Sequence, residues 1–288
     1  MLAPDDDRSP RPAPPVSRSL QEYGRGVAGG LLFSFPMLYT AEVWQAGERL
    51  GAERLLLGLG GVFVLLLGYN RYAGLRRDAD AFEVAIDSVE ELGLGLVVAA
   101  VVLVVLGRID LAMPLSEIAG KVVVGGLAVA IGVSVGTAQL GGGGDDDDDC
   151  GMGDEREQNP DFVAQMALAL CGAVLVAANI APTDEIPEIA GTLSPWALLA
   201  LTAMTVGVGA FVLHFGDFIR ASASRGRRDV LIATIASYLA SMIAASDLLW
   251  FFGRLDDVGP PFALAQVIVL GLPTALGASA GRLLIQPS

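Results

Sequence analysis

Carboxylates at the ends of long apolar runs are where this sequence could do chemistry. Glu42 closes the first run in Thr40-Ala41-Glu42, and Glu185 closes a later one in Thr183-Asp184-Glu185. A charged group at membrane depth is costly and faces protein or water rather than lipid, so each is a candidate site. Two carboxylates meeting across a pseudo-twofold axis would bind a cation; alternatively, each would pair with an Arg. Arg108 and Asp110 in Gly107-Arg108-Ile109-Asp110, with Arg254 and Asp256 in Gly253-Arg254-Leu255-Asp256, are the ion-pair candidates. The plainer reading is that these Arg and Asp residues only end helices at the membrane surface. Pro36 and Pro182 lie where they would break helices and free backbone carbonyls.

Two further carboxylate sets stand out. Asp80, Glu83, Asp87 and Glu90 follow one another at spacings of 3, 4 and 3, with Glu91 beside them, which puts the first four on one helical face. The apolar stretch after them is short for a span, so Asp87, Glu90 and Glu91 should dip into the membrane zone as a cation entry or proton acceptor. The competing reading is a solvated helix extension pairing with Arg76, Arg77 or the loop between the expected sixth and seventh spans. Asp247 sits inside another apolar run, with Trp250 and Arg254 at i+3 and i+7. It is either a substrate ligand or half of a structural ion pair with Arg254 or Arg108.

Other chemistry is thinner. His214, the only histidine, precedes Asp217 by three residues, a spacing that suits a proton relay or a structural pair. Cys150 and Cys171 are too few for a disulfide framework and read as free thiols. Gly132–Gly136 and Gly277–Gly281 spell GxSxG, but inside apolar runs rather than at a strand-to-helix turn. No metal ligand set, cofactor motif or nucleophile constellation emerges, so the expectation is a protein without enzymatic activity, metal or cofactor.

The elements that would hold these groups are membrane helices. The chain is 53% hydrophobic and 17% charged, where a soluble domain carries about a quarter charged residues. Runs of about 20 apolar residues, the length that crosses the hydrocarbon core, recur near 24–44, 53–71, 84–107, 116–140, 162–182, 195–219, 229–252 and 261–284. A net charge of −14 argues against a nucleic-acid partner. Residues 1–22, rich in Pro, Asp and Arg, read as a disordered tail. Residues 141–160, GGGGDDDDDCGMGDEREQNP, read as an acidic linker between two membrane units, 23–140 and 161–285.

Landmarks repeat across the linker at nearly constant offset. Gly107-Arg108-Ile109-Asp110 answers Gly253-Arg254-Leu255-Asp256, and Gly132–Gly136 answers Gly277–Gly281. The expected fold is therefore all-α: a polytopic bundle of about eight transmembrane helices built as two parallel four-helix repeats. The GxxxG spacings predict close helix packing within the chain, and less strongly a homo-oligomer. With eight spans, thirteen Arg lie on one side of the membrane against five Arg and Lys on the other, which places both termini in the cytoplasm of a plasma-membrane protein.

The stretch Leu20-Gln21-Glu22-Tyr23-Gly24-Arg25-Gly26 through Phe33-Ser34-Phe35-Pro36-Met37-Leu38-Tyr39-Thr40-Ala41-Glu42-Val43-Trp44, with Gly107-Arg108-Ile109-Asp110, resembles the prokaryotic integral membrane proteins grouped as DUF2391. The likeness covers about residues 20–285. It implies a polytopic membrane protein and supplies no catalytic or binding residues. The functional expectation is a transporter or channel for a small ion or solute, a cation or a proton-coupled cargo, with the lipid bilayer as its surroundings. The alternative is a non-transporting membrane scaffold or sensor that works through partner proteins.

Overall fold

Pro36 decides the shape of the first membrane segment. The structure, a computed structural model, describes residues 16–73, 80–110, 112–139, 162–218 and 227–283. Helix α1 (Val16–Leu38) contains Pro36, and the chain then turns by 85° into the short α2 (Ala41–Arg49). A proline removes one helical N–H and crowds the preceding turn. Here Met37 N–H donates to Asn179 Oδ1 at 3.1 Å, and Asn179 Nδ2 donates to Phe33 O at 3.1 Å, the carbonyl Met37 would address in an unbroken helix. The turn is pinned locally as well: Trp44 Nε1 donates to Leu38 O and Thr40 Oγ1 to Pro36 O, both at 2.8 Å.

The remaining helices are α3 (Ala52–Ala73), α4 (Ala81–Val105), α5 (Leu115–Gln139), α6 (Phe162–Ala177), α7 (Glu185–Thr192), α8 (Pro195–Phe218), α9 (Arg227–Phe251) and α10 (Pro260–Leu283). Six of them (α3, α4, α5, α8, α9 and α10) are long and apolar enough to cross a membrane, and the bent α1–α2 pair makes a seventh if it counts as one span. Among the described residues there are thus six continuous spans where the sequence led us to expect eight. The first expected span is broken after Leu38. The expected fifth ends at Ala177 as a 16-residue helix, short of the roughly 20 residues a span needs. Helix α1 begins at Val16, so residues 16–22 of the expected tail are helical; Pro14 and Pro15 stand just ahead, where proline suits a helix start. The rest of that tail, the acidic linker with Cys150, and the Arg76 and Arg77 loop lie outside the described residues.

Helix α5 packs against α1, α2, α3 and α4, while α10 packs against α6, α7, α8 and α9. These two are the central helices. In the apolar window of α5, 78% of residues are buried, against 11% in α8, which leaves most of α8 on the outside of the bundle. Small residues permit the close approach. A Cβ on Gly29 of α1 would lie 2.6 Å from Gly132 O, and one on Gly172 of α6 would lie 2.9 Å from Gly281 Cα. Both GxxxG stretches are therefore packing faces within the chain. Helices α3 and α5 also meet α6, which joins the two sets.

Helices α4 and α9 end alike. Gly107 and Gly253 have φ of +66° and +73°, Arg108 N–H donates to Leu103 O at 2.8 Å, and Arg254 N–H donates to Leu249 O at 2.8 Å. This is the six-to-one bond of a Schellman cap, in which glycine takes the left-handed position. The two Gly-Arg landmarks of the sequence are these caps.

Gly29→Ala should lower thermal stability in detergent by about 1–3 kcal/mol, the usual cost of overpacking. Gly60→Ala, where nothing lies within 4 Å of the added Cβ, should leave it unchanged or raised. Equal melting temperatures for the two variants would contradict this packing.

Candidate functional site

At the end of the bundle that carries α2 and α7, the sole lysine organises the charge. Lys121 is 5% exposed. Its Nζ reaches Glu117 Oε1 at 2.7 Å, Glu48 Oε1 at 2.9 Å and Arg108 O at 3.2 Å. The carbonyl of Arg108 is thus held by Lys121, while its guanidinium lies 4.1 Å over the Trp44 ring. Around α10 the matching carbonyl, Arg254 O, accepts from Gln266 Nε2 at 3.2 Å, and Gln266 is buried. Sequence reasoning counted Lys121 only as charge; the signal was Glu117 one turn before it.

The ion-pair candidates divide. Arg254 donates to Asp184 Oδ1 at 2.7 Å and to Pro182 O. Asp256 receives Arg54 at 2.7 Å, a bond from α3 to the α9–α10 turn, and Arg54 also stands 5.2 Å over the Trp250 ring. That hydrogen bond to Arg54 holds the Asp256 carboxyl below its usual range. Asp110 caps its own turn by accepting from Ala112 N–H at 3.1 Å.

Glu42 lies in the first turn of α2 and is half-buried, with no ion pair among the described residues. Glu185 opens α7 and is exposed; its bond to Thr183 lowers its pKa from the ordinary value. The two acids sit on separate short helices, α2 against α5 and α7 against α10, and neither lines the cavity described next.

Asp247 does line it. A cavity of about 510 Å³ opens between α3 and α5 on one side and α6 and α9 on the other. Its walls are apolar, with Leu57, Val62, Leu127, Val174 and Phe252 among them, and Asp247 is the one ionisable side chain among its lining residues. The expected partners of Asp247 are both engaged elsewhere: Arg254 turns away to the Asp184 carboxylate and the Pro182 carbonyl, and Arg108 stacks on Trp44. Phe251 closes over Gly58 at the α2–α7 end, where a Cβ on Gly58 would lie 2.6 Å from the Phe251 ring.

The acidic stripe on α4 splits by role. Asp80 is the N-cap: its side chain accepts from Phe82 and Glu83 N–H, and Glu83 accepts from Asp80 N–H, a reciprocal capping box. Glu90 is exposed and Asp87 partly buried. Glu91 turns inward, where Asn70 Nδ2 of α3 donates to its carboxyl at 2.7 Å. Asn70 is buried and also meets Ser88 at 3.1 Å and Ser134 of α5 at 3.0 Å. No sequence signal marks Asn70 as a hub, because its partners lie on two other helices. Cys171 is a free, buried thiol 3.5 Å from Leu65 O. His214 and Asp217 lie on α8, and their side chains are outside the described residues.

The Arg54–Asp256 pair predicts a pH dependence. A carboxyl whose folded pKa is depressed stabilises the fold above its unfolded value, near 3.9 for Asp, and loses that contribution as pH falls through the folded value. Asp256 is half exposed, so Asp256→Asn should cost under about 1 kcal/mol at pH 7. The difference from wild type should vanish once the carboxyl is protonated in acid. Thermal unfolding in detergent at both pH values checks this, and a difference that persists in acid would contradict it.

No curated relative and no solved structure matches the chain. The family described as "Putative integral membrane protein (DUF2391)" matches residues 22–285, nearly the whole length and the stretch that carries all ten helices but the start of α1. With several membrane-length helices around two central ones, the chain is a multi-pass integral membrane protein of the DUF2391 family.

Proposed function

We propose that this protein transports or channels a small ion or solute, with a cationic or proton-coupled cargo, through the cavity beside Asp247. The observation that carries the reading is one carboxylate on the wall of an otherwise apolar cavity about 510 Å³ in volume, between helices from both ends of the chain. A carboxylate kept at membrane depth without a basic partner is expensive, and such groups mark ion and proton paths. The apolar walls narrow the cargo. A Ca²⁺ or Mg²⁺ ion takes six or more oxygen ligands, more than the one carboxylate on this wall supplies. A proton, or an organic cation with an apolar body, suits the cavity better.

The path would lie between two copies of one unit. Support comes from matched details: α5 and α10 as central helices, Gly29 and Gly172 facing the two GxxxG stretches, and carbonyls of Arg108 and Arg254 capped by Lys121 and Gln266. The same positive-φ glycines end α4 and α9. Both termini would face the cytoplasm of the plasma membrane, following the excess of Arg on that side.

The scaffold or sensor reading draws on a different observation. Arg54, Arg254 and Lys121 are all spent on acids at one end of the bundle, as in a rigid non-transporting frame.

Flux into proteoliposomes separates the two. Wild type should move H⁺ or guanidinium down a gradient, and Asp247→Asn should cut that flux by about tenfold or more, equivalent to about 1.4 kcal/mol. No flux of H⁺, guanidinium, Na⁺, K⁺ or Ca²⁺ through folded wild type would overturn the transport reading in favour of the scaffold.

A further inference from the structure

The cavity beside Asp247 opens sideways. Helix α3 packs on α4, α5 and α6, while α9 packs on α6, α8 and α10. Among the described residues, α3 and α9 meet at the α2–α7 end: Phe251 lies against Gly58, and Arg54 reaches Asp256 and the Trp250 ring. Past that point the two helices leave a slot. Leu57, Gly61 and Leu65 form one of its walls at i, i+4 and i+8, and Ile243, Asp247 and Phe251 form the other. Each row runs for about 12 Å at 1.5 Å per residue. Leu57 is 60% exposed and Ile243 63%, although both line the cavity, and a Cβ on Gly61 would meet nothing within 4 Å. Both helices are long and apolar enough to cross a membrane, so in a bilayer the slot would open onto acyl chains.

The walls select a ligand by what they lack. Asp247 is exposed at its wall and has no hydrogen bond or ion pair among the described residues. It is the one strong acceptor among the lining side chains, and the indole N–H of Trp250 only donates. Any N–H that a ligand brought in beyond those Asp247 accepts would lose its water and find no partner, which is costly. A cation whose charge is wrapped in carbon brings no such N–H. Arg54, at the closed end of the slot, does not oppose a cation, because its own charge is paired with Asp256 at 2.7 Å.

We propose that this slot binds a hydrophobic onium ion, of the quaternary ammonium or phosphonium class, which enters from the bilayer between α3 and α9 and pairs with the Asp247 carboxylate. The site rests on the reading of Asp247 as a cargo group and narrows that cargo to one class. Its volume of about 510 Å³ falls in the range of small-molecule sites, about 300–1,000 Å³. One positive charge matches one carboxylate, and pairing removes an uncompensated charge from membrane depth. The apolar body of the ion replaces lipid or empty space against the α3 and α9 rows.

Equilibrium dialysis of radiolabelled tetraphenylphosphonium against the full-length protein in nanodiscs of zwitterionic lipid tests the site, with empty nanodiscs subtracted. Wild type should show saturable binding. Tetraphenylborate, alike in size and opposite in charge, should not compete. Asp247→Asn should weaken binding by about tenfold or more, and Asp247→Glu should restore most of it. Gly61→Leu keeps the carboxylate but fills the slot, and should abolish binding without lowering the melting temperature. Gly207→Leu on α8, where an added Cβ also meets nothing, should bind as wild type does. No saturable binding to wild type, or binding that neither Asp247→Asn nor Gly61→Leu changes, would overturn the proposal. Proton flux through Asp247 with no bound phosphonium would overturn the onium site and leave the transport reading standing. Phosphonium bound at Asp247 in a protein that passes no cation would do the reverse.

Discussion

In hydrocarbon there is no water to satisfy a broken backbone pair, and the architecture follows from that constraint at the one place where the first membrane segment breaks. Pro36 interrupts α1, and the amide of Asn179 enters the gap with both a donor and an acceptor. A side chain from the end of α6 thereby completes a turn of α1. The break becomes a joint between the two parts of the chain, not a defect. An apolar residue at 179 would leave Met37 N–H and Phe33 O without these partners, a desolvation cost of roughly 1–3 kcal/mol each. Asn179, in the turn just after α6, also donates to Leu175 O in the last turn of that helix, so its orientation is fixed from both sides.

Around that joint the polar side chains are spent in two ways. At the α2–α7 end they close loops: Lys121 and Gln266 hold the carbonyls of Arg108 and Arg254, Arg254 reaches Asp184, and Arg54 reaches Asp256. At the opposite end Asn70 ties α3, α4 and α5 through Glu91, Ser88 and Ser134. Between these layers lies the apolar cavity, with Asp247 on its wall.

Apolar length made the long helices legible, and the Gly-Arg landmarks marked two caps because a left-handed turn requires glycine. The GxxxG spacings pointed to close packing, and Gly29 and Gly172 supply the opposite faces. Long-range partners were not legible. Pro36 signalled a break, but the residue that fills it lies 142 positions away from Met37. Arg54 showed only as a charge, since Asp256 is 202 positions distant. Asp247 stood out as an acid in an apolar run, yet its neighbour Arg254 was read as a partner because helical spacing ignores the turn that swings Arg254 towards Asp184. The cavity has no sequence signature, being made by helices from both parts of the chain.

Transport through this bundle requires that Asp247 face a space open to water-borne cargo. The direct measurement is thiol labelling of Asp247→Cys, with Cys150 and Cys171 replaced by Ser, by a membrane-impermeant methanethiosulfonate in sealed vesicles. The Asp247→Cys thiol should be labelled, and more slowly when guanidinium is present, while Val129→Cys, buried in α5, should stay unlabelled. An Asp247→Cys variant as unreactive as Val129→Cys would contradict the transport reading: the wall would then be sealed, and the carboxylate would serve structure alone.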